Sequence, residues 1–428
     1  MQLRSSFLLF FLLLSGLGQA QVSLNGQVLG ADNKQPIASA NVYLSNSSIG
    51  TITNEKGQFI IHNFPSGRYD LVVSCIGYVT QVITVSSAQL PPSLKVLLKP
   101  NVQELQEVIV EPYEKNGWEK WGSFFIENFI GTSAFAADCK LLNKDVVKFR
   151  FSKKNNILKV IANDRLVIEN KALGYLLKYD LTLFEYNFTT RIFIYQGYPL
   201  FEEMDTKRKG LQRRWKENRE DAYFGSIMHF MRSLYRNKLI EQNFEVRKLI
   251  KLSDTEKKRV RNLYRAQVVN AAIEGTAIKI NNGIAEPGEM RRDSAAYYRK
   301  VMNEPESLNI LINKVLPGDS IAFALDSVTV GLEFTDYLQV VYTKKQTPPE
   351  YKKMLPKGVE SMPLTSDIFR TRDNVIMVLA SGNYFEGIDL ITSGYWAWSE
   401  KIAAMLPNDY WPEPKKQTGT YFPVKPSR

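Results

Sequence analysis

The chain has 428 residues, of which 44% are hydrophobic and 23% charged, and a formal net charge of +11. That length supports two or three domains and a sizeable core, and the composition excludes wholesale disorder. The charge is not spread evenly: Asp205 to Arg265 holds 18 Lys/Arg against 8 Asp/Glu, so nearly all of the excess sits in one stretch.

In chain order, the first element is a secretion signal. Arg4 supplies the charged start, Phe7 to Leu14 is an uninterrupted apolar run, and Gly18-Gln19-Ala20 places small residues for cleavage before Gln21. The run is short against the roughly 20 residues a membrane span needs. No cysteine follows the small residues, so no lipid-modified N-terminus is expected. No later apolar run reaches spanning length, so the mature chain reads as exported and soluble.

Residues 21–100 read as short strands punctuated by turns. Ala40, Val42 and Leu44 alternate with outward residues, and Tyr69, Leu71, Val73 and Cys75 share one face, the period-two pattern of half-buried strands. Asn54-Glu55-Lys56-Gly57 and Pro65-Ser66-Gly67 are turns. Val82 to Val85 and Leu94 to Leu98 complete a sandwich, with no βαβ units. The series Val22-Ser-Leu-Asn-Gly26, Ala40 to Leu44, Gly50 to Phe59, Pro65 to Ser74 and Ile76-Gly-Tyr78 resembles the carboxypeptidase-regulatory-like domain. The resemblance implies a prealbumin-like, seven-stranded β-sandwich that docks or spaces and does no catalysis.

A linker, 101–117, follows. Its Val102 to Pro112 stretch is similar to the segment behind the same domain in TonB-dependent outer-membrane receptors. About 310 residues remain, too few for a plug and a barrel of about 22 strands at about 10 residues per strand plus loops, so a receptor is not expected. Residues 118–410 read as a mixed α+β region rich in antiparallel sheet. Trp118, Trp121, Phe124, Phe125 and Phe129 line one side of a helix and read as core. Strands dominate 146–201, with hairpin turns at Asn155-Asn156 and Asn163-Asp164.

The basic helical region, 205–265, carries a stripe of Phe224, Ile227, Met231 and Leu234 from about Leu211 to Leu239, with Gly225 marking a break or close approach. Ser253 and Glu256 form a capping-box pattern for a further helix through Arg265. Asp293 to Met302 reads as a helix, and Ile321 to Leu325 and Val328 to Tyr342 as strands. A loop-rich segment is expected from Thr347 to Asp373, a strand at Val375 to Leu379, and a helix from Trp396 to Met405. The tail, 411–428, is rich in Pro and Lys and reads as weakly ordered.

Little of this points to a reaction. A zinc carboxypeptidase needs two His ligands, a Glu ligand and a catalytic Glu, and the two histidines, His62 and His229, fall in different regions without a Glu at ligand spacing. No metal or cofactor site is expected. Gly318-Asp-Ser320-Ile-Ala322 lacks the final Gly of a nucleophile elbow, and His229 sits among apolar residues as a packed histidine. Cys75 and Cys139 read as free, buried thiols. Paired carboxylates hydrolyse glycosides without histidine; the adjacent Glu202 and Glu203 are candidates only by sequence.

The remaining candidate site is basic: Lys207, Arg208, Lys209, Arg213, Arg214, Lys216 and Arg219 fall within thirteen positions. Such a run is either a solvated helix face or an anion-binding surface. Export disfavours nucleic acid as a ligand; anionic glycans, lipid headgroups or an acidic protein fit better. The Arg214-Trp215, Asn218-Arg219, Ala222-Tyr223 and Gly225-Ser226 to Leu234 pattern resembles the uncharacterised region behind this sandwich in Bacteroidota envelope proteins. The expectation is an exported, non-catalytic protein of the periplasm, outer membrane or cell surface that binds an envelope partner. The alternatives are a glycan hydrolase or an anionic-glycan or lipid binder.

Overall fold

Alternation of apolar and polar residues builds the first sheets. In β1 (Leu24–Gly30) Leu24, Gly26, Val28 and Gly30 are buried while Asn25 is exposed. The computed structural model describes residues 22–101, 112–253, 259–261, 278–281, 284–287, 301, 307–356, 358–385 and 387–412. The expected signal, the helices over 253–265 and 293–302 in the main, and the tail beyond 412 lie outside those residues.

β1 is followed by β2 (Asn41–Leu44), β3 (Gly50–Ile52), β4 (Gln58–Ile61), β5 (Arg68–Ser74), β6 (Gln81–Ser86) and β7 (Leu94–Leu98). They form a three-stranded sheet, β4-β1-β7, and a four-stranded sheet, β3-β2-β5-β6. β1 and β7 run parallel; every other pair is antiparallel. Leu24, Val28, Val42, Leu44, Phe59, Leu71, Val73, Val96 and Leu98 fill the space between the sheets. This is the expected seven-stranded sandwich. β5 ends at Ser74, so Cys75 stands just past the strand, half-buried and unbridged, as is Cys139.

The next layer begins with α1 (Gly117–Phe129). It lies in the hollow of a sheet made of β8 (Cys139–Leu141), β9 (Val147–Ser152), β10 (Ile157–Ala162), β11 (Leu166–Asn170), β12 (Tyr175–Asn187) and β13 (Ile192–Glu203). β12 pairs with β11 through its first half and with β10 through its second, and its pairing with β13 shifts register between Leu181 and Leu183. That irregularity lets one long strand bend and join two neighbours. Phe125 and Phe129 stack with centroids 5.0 Å apart and pack on Phe149, Leu158, Tyr179 and Phe184, so the aromatic stripe is core.

Two helices follow, α2 (Lys209–Tyr223) and α3 (Ile227–Tyr235), within the helical stretch expected from about Leu211 to Leu239. The break is at Gly225, whose φ of +91° suits glycine, and a Cβ there would stand 2.9 Å from the Tyr342 ring. Ser226 then caps α3, accepting from the His229 N–H.

β14 (Phe244–Ser253), the hairpin β15 (Ile278–Asn281) and β16 (Ile284–Pro287), β17 (Ser307–Val315), β18 (Ala322–Ala324), β19 (Thr329–Leu332) and β20 (Tyr337–Gln346) come next. They precede the short α4 (Pro349–Lys352), β21 (Pro363–Arg370), β22 (Ile376–Leu379), β23 (Tyr384–Phe385), β24 (Leu390–Gly394) and α5 (Tyr395–Ser399). A five-stranded sheet, β17-β14-β20-β21-β24, and a four-stranded sheet, β18-β19-β22-β23, enclose α3. Phe230, Met231 and Leu234 pack on Val246, Val340, Ile368, Val378 and Trp396.

Three expectations change here. The expected strand 328–342 is two strands split by a turn at 333–336. The expected loop 347–373 contains α4 and the whole of β21, whose Leu364, Ser366 and Ile368 are buried in alternation. The expected helix 396–405 is α5 followed by a 3-10 turn at Ile402–Ala404.

The sandwich is fixed to the body. Ser47 bridges Leu200, the Asn46 N–H donates to Pro199 O (2.9 Å), and the Phe201 N–H donates to Ser47 O (3.0 Å). The Asn408 N–H reaches back to Asn46 O (2.6 Å), and Asp409 accepts from the Ser48 N–H (2.9 Å). Tyr43, Val72 and Leu200 bury one another. At the centre Arg165 forks onto Asp180 (3.0 and 2.8 Å) and donates to Ser74 Oγ. The Tyr43 hydroxyl donates to the same carboxylate at 2.5 Å.

Candidate functional site

A cleft of about 100 Å³ opens where the two body cores meet. Its walls come from distant parts of the chain: Ser133 to Phe135, the end of α2 at Asp221, the α2–α3 break at Phe224 and Ser226, Glu350 of α4, and Tyr395, Trp398, Ser399 and Glu400 around α5. Glu400 Oε1 accepts from the Ile227 N–H at 2.9 Å, so the first turn of α3 holds the carboxylate. Burial pushes the Glu400 carboxyl up to about 7, against the opposing pull of that N–H and of Lys401. Lys401 is lowered to about 8 by burial. Its ammonium lies over the Phe193 ring, 4.5 Å from the centroid, while its neighbour Glu400 lines the cleft. Asp221 pairs with Lys345 at 2.6 Å. Trp398 is held by a bond from Nε1 to Thr132 Oγ1 (2.9 Å) and by tilted ring contacts with Tyr351 (5.2 Å) and Tyr395 (5.7 Å).

Behind the cleft the polar groups are structural. His229 is buried, with Nδ1 accepting from the Gly225 N–H and Nε2 bonded to Gln242 Oε1, both at 3.2 Å. Nδ1 as acceptor puts the proton on Nε2. Burial lowers this histidine to about 4, and with both nitrogens occupied it is a packed neutral imidazole. Arg232 is fully buried and donates to the carbonyls of Ser381 (2.7 Å), Tyr410 (2.9 Å) and Asn408 (3.0 Å). The Trp411 ring lies 3.7 Å from its guanidinium, so the chain is tied down through Trp411, one residue into the expected loose tail. Cys139 is pushed up to about 12 by burial, and Cys75 is also raised by burial, which disfavours the reactive thiolate in both. Among the described residues no group of three His, Cys, Asp or Glu is arranged to hold a metal ion, and no helix is long and apolar enough to cross a membrane.

Sheet order, the parallel β1–β7 pair and the strand spacing all lie within the N-terminal unit. Residues 24–110 match the CarboxypepD_reg-like domain. That domain is regulatory and non-catalytic. No curated protein matches the chain. Among solved structures, the chain is similar to the Bacillus anthracis TIE protein at 15% identity, over 44% of this chain and 32% of that one, with a TM-score of 0.16. It is similar to a 9R-lipoxygenase from Cyanothece PCC8801 at 10% identity, over 52% of this chain and 49% of that one, with a TM-score of 0.16. A membrane-associated protein of unknown function from Bacteroides fragilis NCTC 9343 aligns at 12% identity over 88% of this chain and 95% of that one, again with a TM-score of 0.16. The chain thus spans about a third and about half of the first two, and TM-scores this low bear on neither fold nor function.

The basic candidates lie in the body, beyond the CarboxypepD_reg-like domain, and differ in how far they are paired. Lys207, Arg208 and Lys209 are exposed at the start of α2. Arg213, itself exposed, faces Glu217 one turn on at 3.6 Å, and Lys216 lies on the same helix with interactions of its own. Arg214 pairs with Asp138 at 2.6 Å. Arg219 is a packing residue: it donates to Leu173 O (2.7 Å) and Gly174 O (3.2 Å), pairs with Glu203 and covers the Tyr175 ring at 4.0 Å. Arg219 is thus turned inward, while Lys207, Arg208, Lys209, Arg213, Arg214 and Lys216 are exposed along one segment. Glu202 and Glu203 do not converge, since neighbours on a strand point to opposite faces; Glu202 pairs with Lys178 and Glu203 with Arg219. His62 is exposed just past β4 of the CarboxypepD_reg-like domain. Ser320 donates to its own turn at Pro317 O. Sequence reasoning missed Asp221, Glu350, Trp398 and Glu400. The one local signal is Tyr395-Trp396-Ala-Trp398-Ser-Glu400, three aromatics ahead of an acid.

Proposed function

We propose that the chain is an exported binding protein of the cell envelope that does no catalysis itself. The sandwich docks on an envelope partner, and the α+β body carries the ligand site. The observation that carries this reading is the union of sandwich and body through Arg165, Asp180, Tyr43 and the Ser47–Leu200 bridge. A non-catalytic module fixed at one angle transmits position, and a freely swinging spacer does not. The sandwich also presents Ile76, 89% exposed beside the outward Val79, an apolar feature suited to a protein partner. The test is capture of tagged protein from crosslinked envelopes, read by mass spectrometry. One stoichiometric partner, lost in an Ile76→Asp variant, supports the reading; recovery of the chain alone refutes it.

A second reading has an observation of its own. Glu400, held up near 7 at the wall of a cleft that also contains Asp221 and Glu350, suits a general acid in glycoside hydrolysis. Release of reducing ends from envelope polysaccharide, abolished in Glu400→Gln, would establish it and displace the non-catalytic reading.

A further inference from the structure

We propose that the cleft between α2, α4 and α5 is a binding site for a single neutral saccharide ring. This deepens the binding-protein reading and rests on it. The cleft offers two kinds of wall. One is the indole of Trp398, fixed at its nitrogen by Thr132 and backed by Tyr351 and Tyr395, a preorganised apolar platform. Around it stand hydrogen-bonding residues: Asp221, Glu350, Glu400 and Ser133. Ser399 is buried, and its hydroxyl lies against that of Tyr395 behind the cleft wall.

Charge selects the ligand class. Asp221 is compensated by Lys345. Burial raises the Glu400 carboxyl to about 7, and Lys401 turns away to the Phe193 ring. An anionic ligand would meet the carboxylates, and with Asp221 already paired and Glu400 raised, a cation gains little there. A neutral ring with one face of C–H groups and an edge of hydroxyls satisfies both walls, because carboxylates accept from adjacent hydroxyls and an indole covers the C–H face. The volume of about 100 Å³ suits one ring seated in an open mouth and is well below the roughly 300 Å³ of pockets that enclose larger ligands.

The experiment titrates the purified full chain with glucose, galactose, mannose and N-acetylglucosamine at millimolar concentration. Binding is read by saturation-transfer NMR and tryptophan fluorescence. At least one sugar is expected to bind saturably. Trp398→Ala should weaken it by roughly tenfold, the scale of a lost aromatic platform, and Glu350→Gln should weaken it too. Trp398→Phe should retain most of it, which separates loss of the platform from loss of the fold. No binding by any of the four, or equal binding by all three variants, overturns the proposal. The two readings fail separately. A silent panel with the envelope partner still captured removes the saccharide site alone; sugar binding with no partner captured removes the docking reading alone. Sugar binding accompanied by hydrolysis upholds the site and refutes the non-catalytic reading.

Discussion

Replacing Arg232 by leucine should loosen the C-terminal body more than any exposed substitution. The guanidinium is fully buried and is the common donor to the carbonyls of Ser381, Asn408 and Tyr410. It therefore joins α3 to the loop before β23 and to the segment that returns to the sandwich at Asn46. Leucine fills part of the volume but leaves three carbonyls facing an apolar side chain. Hydrogen bonds to a charged donor are each worth about 1.5–3 kcal/mol, and relief from burying the charge offsets several kcal/mol. The net loss should be about 3–4 kcal/mol, a drop in melting temperature on the order of 10 °C. Burial also lowers the Arg232 pKa, which marks that desolvation cost and places the estimate below the gross sum. The assay is thermal melting followed by near-UV circular dichroism, with limited proteolysis of the 400–412 segment alongside. Arg213→Leu, whose side chain is 79% exposed, is the control and should change little. A melting temperature for Arg232→Leu within a degree or two of the control would refute the reasoning.

Three other outcomes follow from the same kind of argument. Asp180→Asn removes the charge that Arg165 and Tyr43 share at 12–15% exposure and should cost about 2–4 kcal/mol at the sandwich–body junction; calorimetry should then show the sandwich melting apart from the body, and an unchanged trace would rule this out. Gly174→Ala should destabilise by more than about 1 kcal/mol, since φ is +72° and the new Cβ would lie 2.3 Å from the Trp215 ring; denaturant midpoints measure it, and a stable Ala variant would show that Trp215 can move aside freely. For Glu400 the folded pKa, about 7, lies above the ordinary carboxylate value of 4.5, so the folded state binds the extra proton between these two. Its contribution to stability is full below pH 4.5 and falls as pH rises to 7, by an amount on the order of 3 kcal/mol. Glu400→Gln should flatten that part of a stability-against-pH curve; a slope identical to the parent would refute the shift.

The CarboxypepD_reg-like sandwich was legible from the chain because its signals are local. Period-two burial in β1 and β5, and glycines at the turns such as Gly57 and Gly67, are properties of a few adjacent residues. The same holds for the aromatic face of α1 and for the break at Gly225. β21 was missed because its polar outward residues and flanking prolines look like a loop until β20 and β24 supply its hydrogen bonds on either side. Which charges of the basic run between Lys207 and Arg219 are paired was not legible, because sequence counts charges without their partners. Packing gave Arg219 to Tyr175 and two carbonyls, and Arg214 to Asp138. Sequence therefore determined which segments alternate, turn and bury aromatics, since strand and helix periods are set by backbone geometry. Tertiary structure alone decided the cleft, because Phe135, Asp221, Glu350 and Glu400 come from four distant segments. It also decided the state of Glu400, because burial and the Ile227 N–H act on it across that distance.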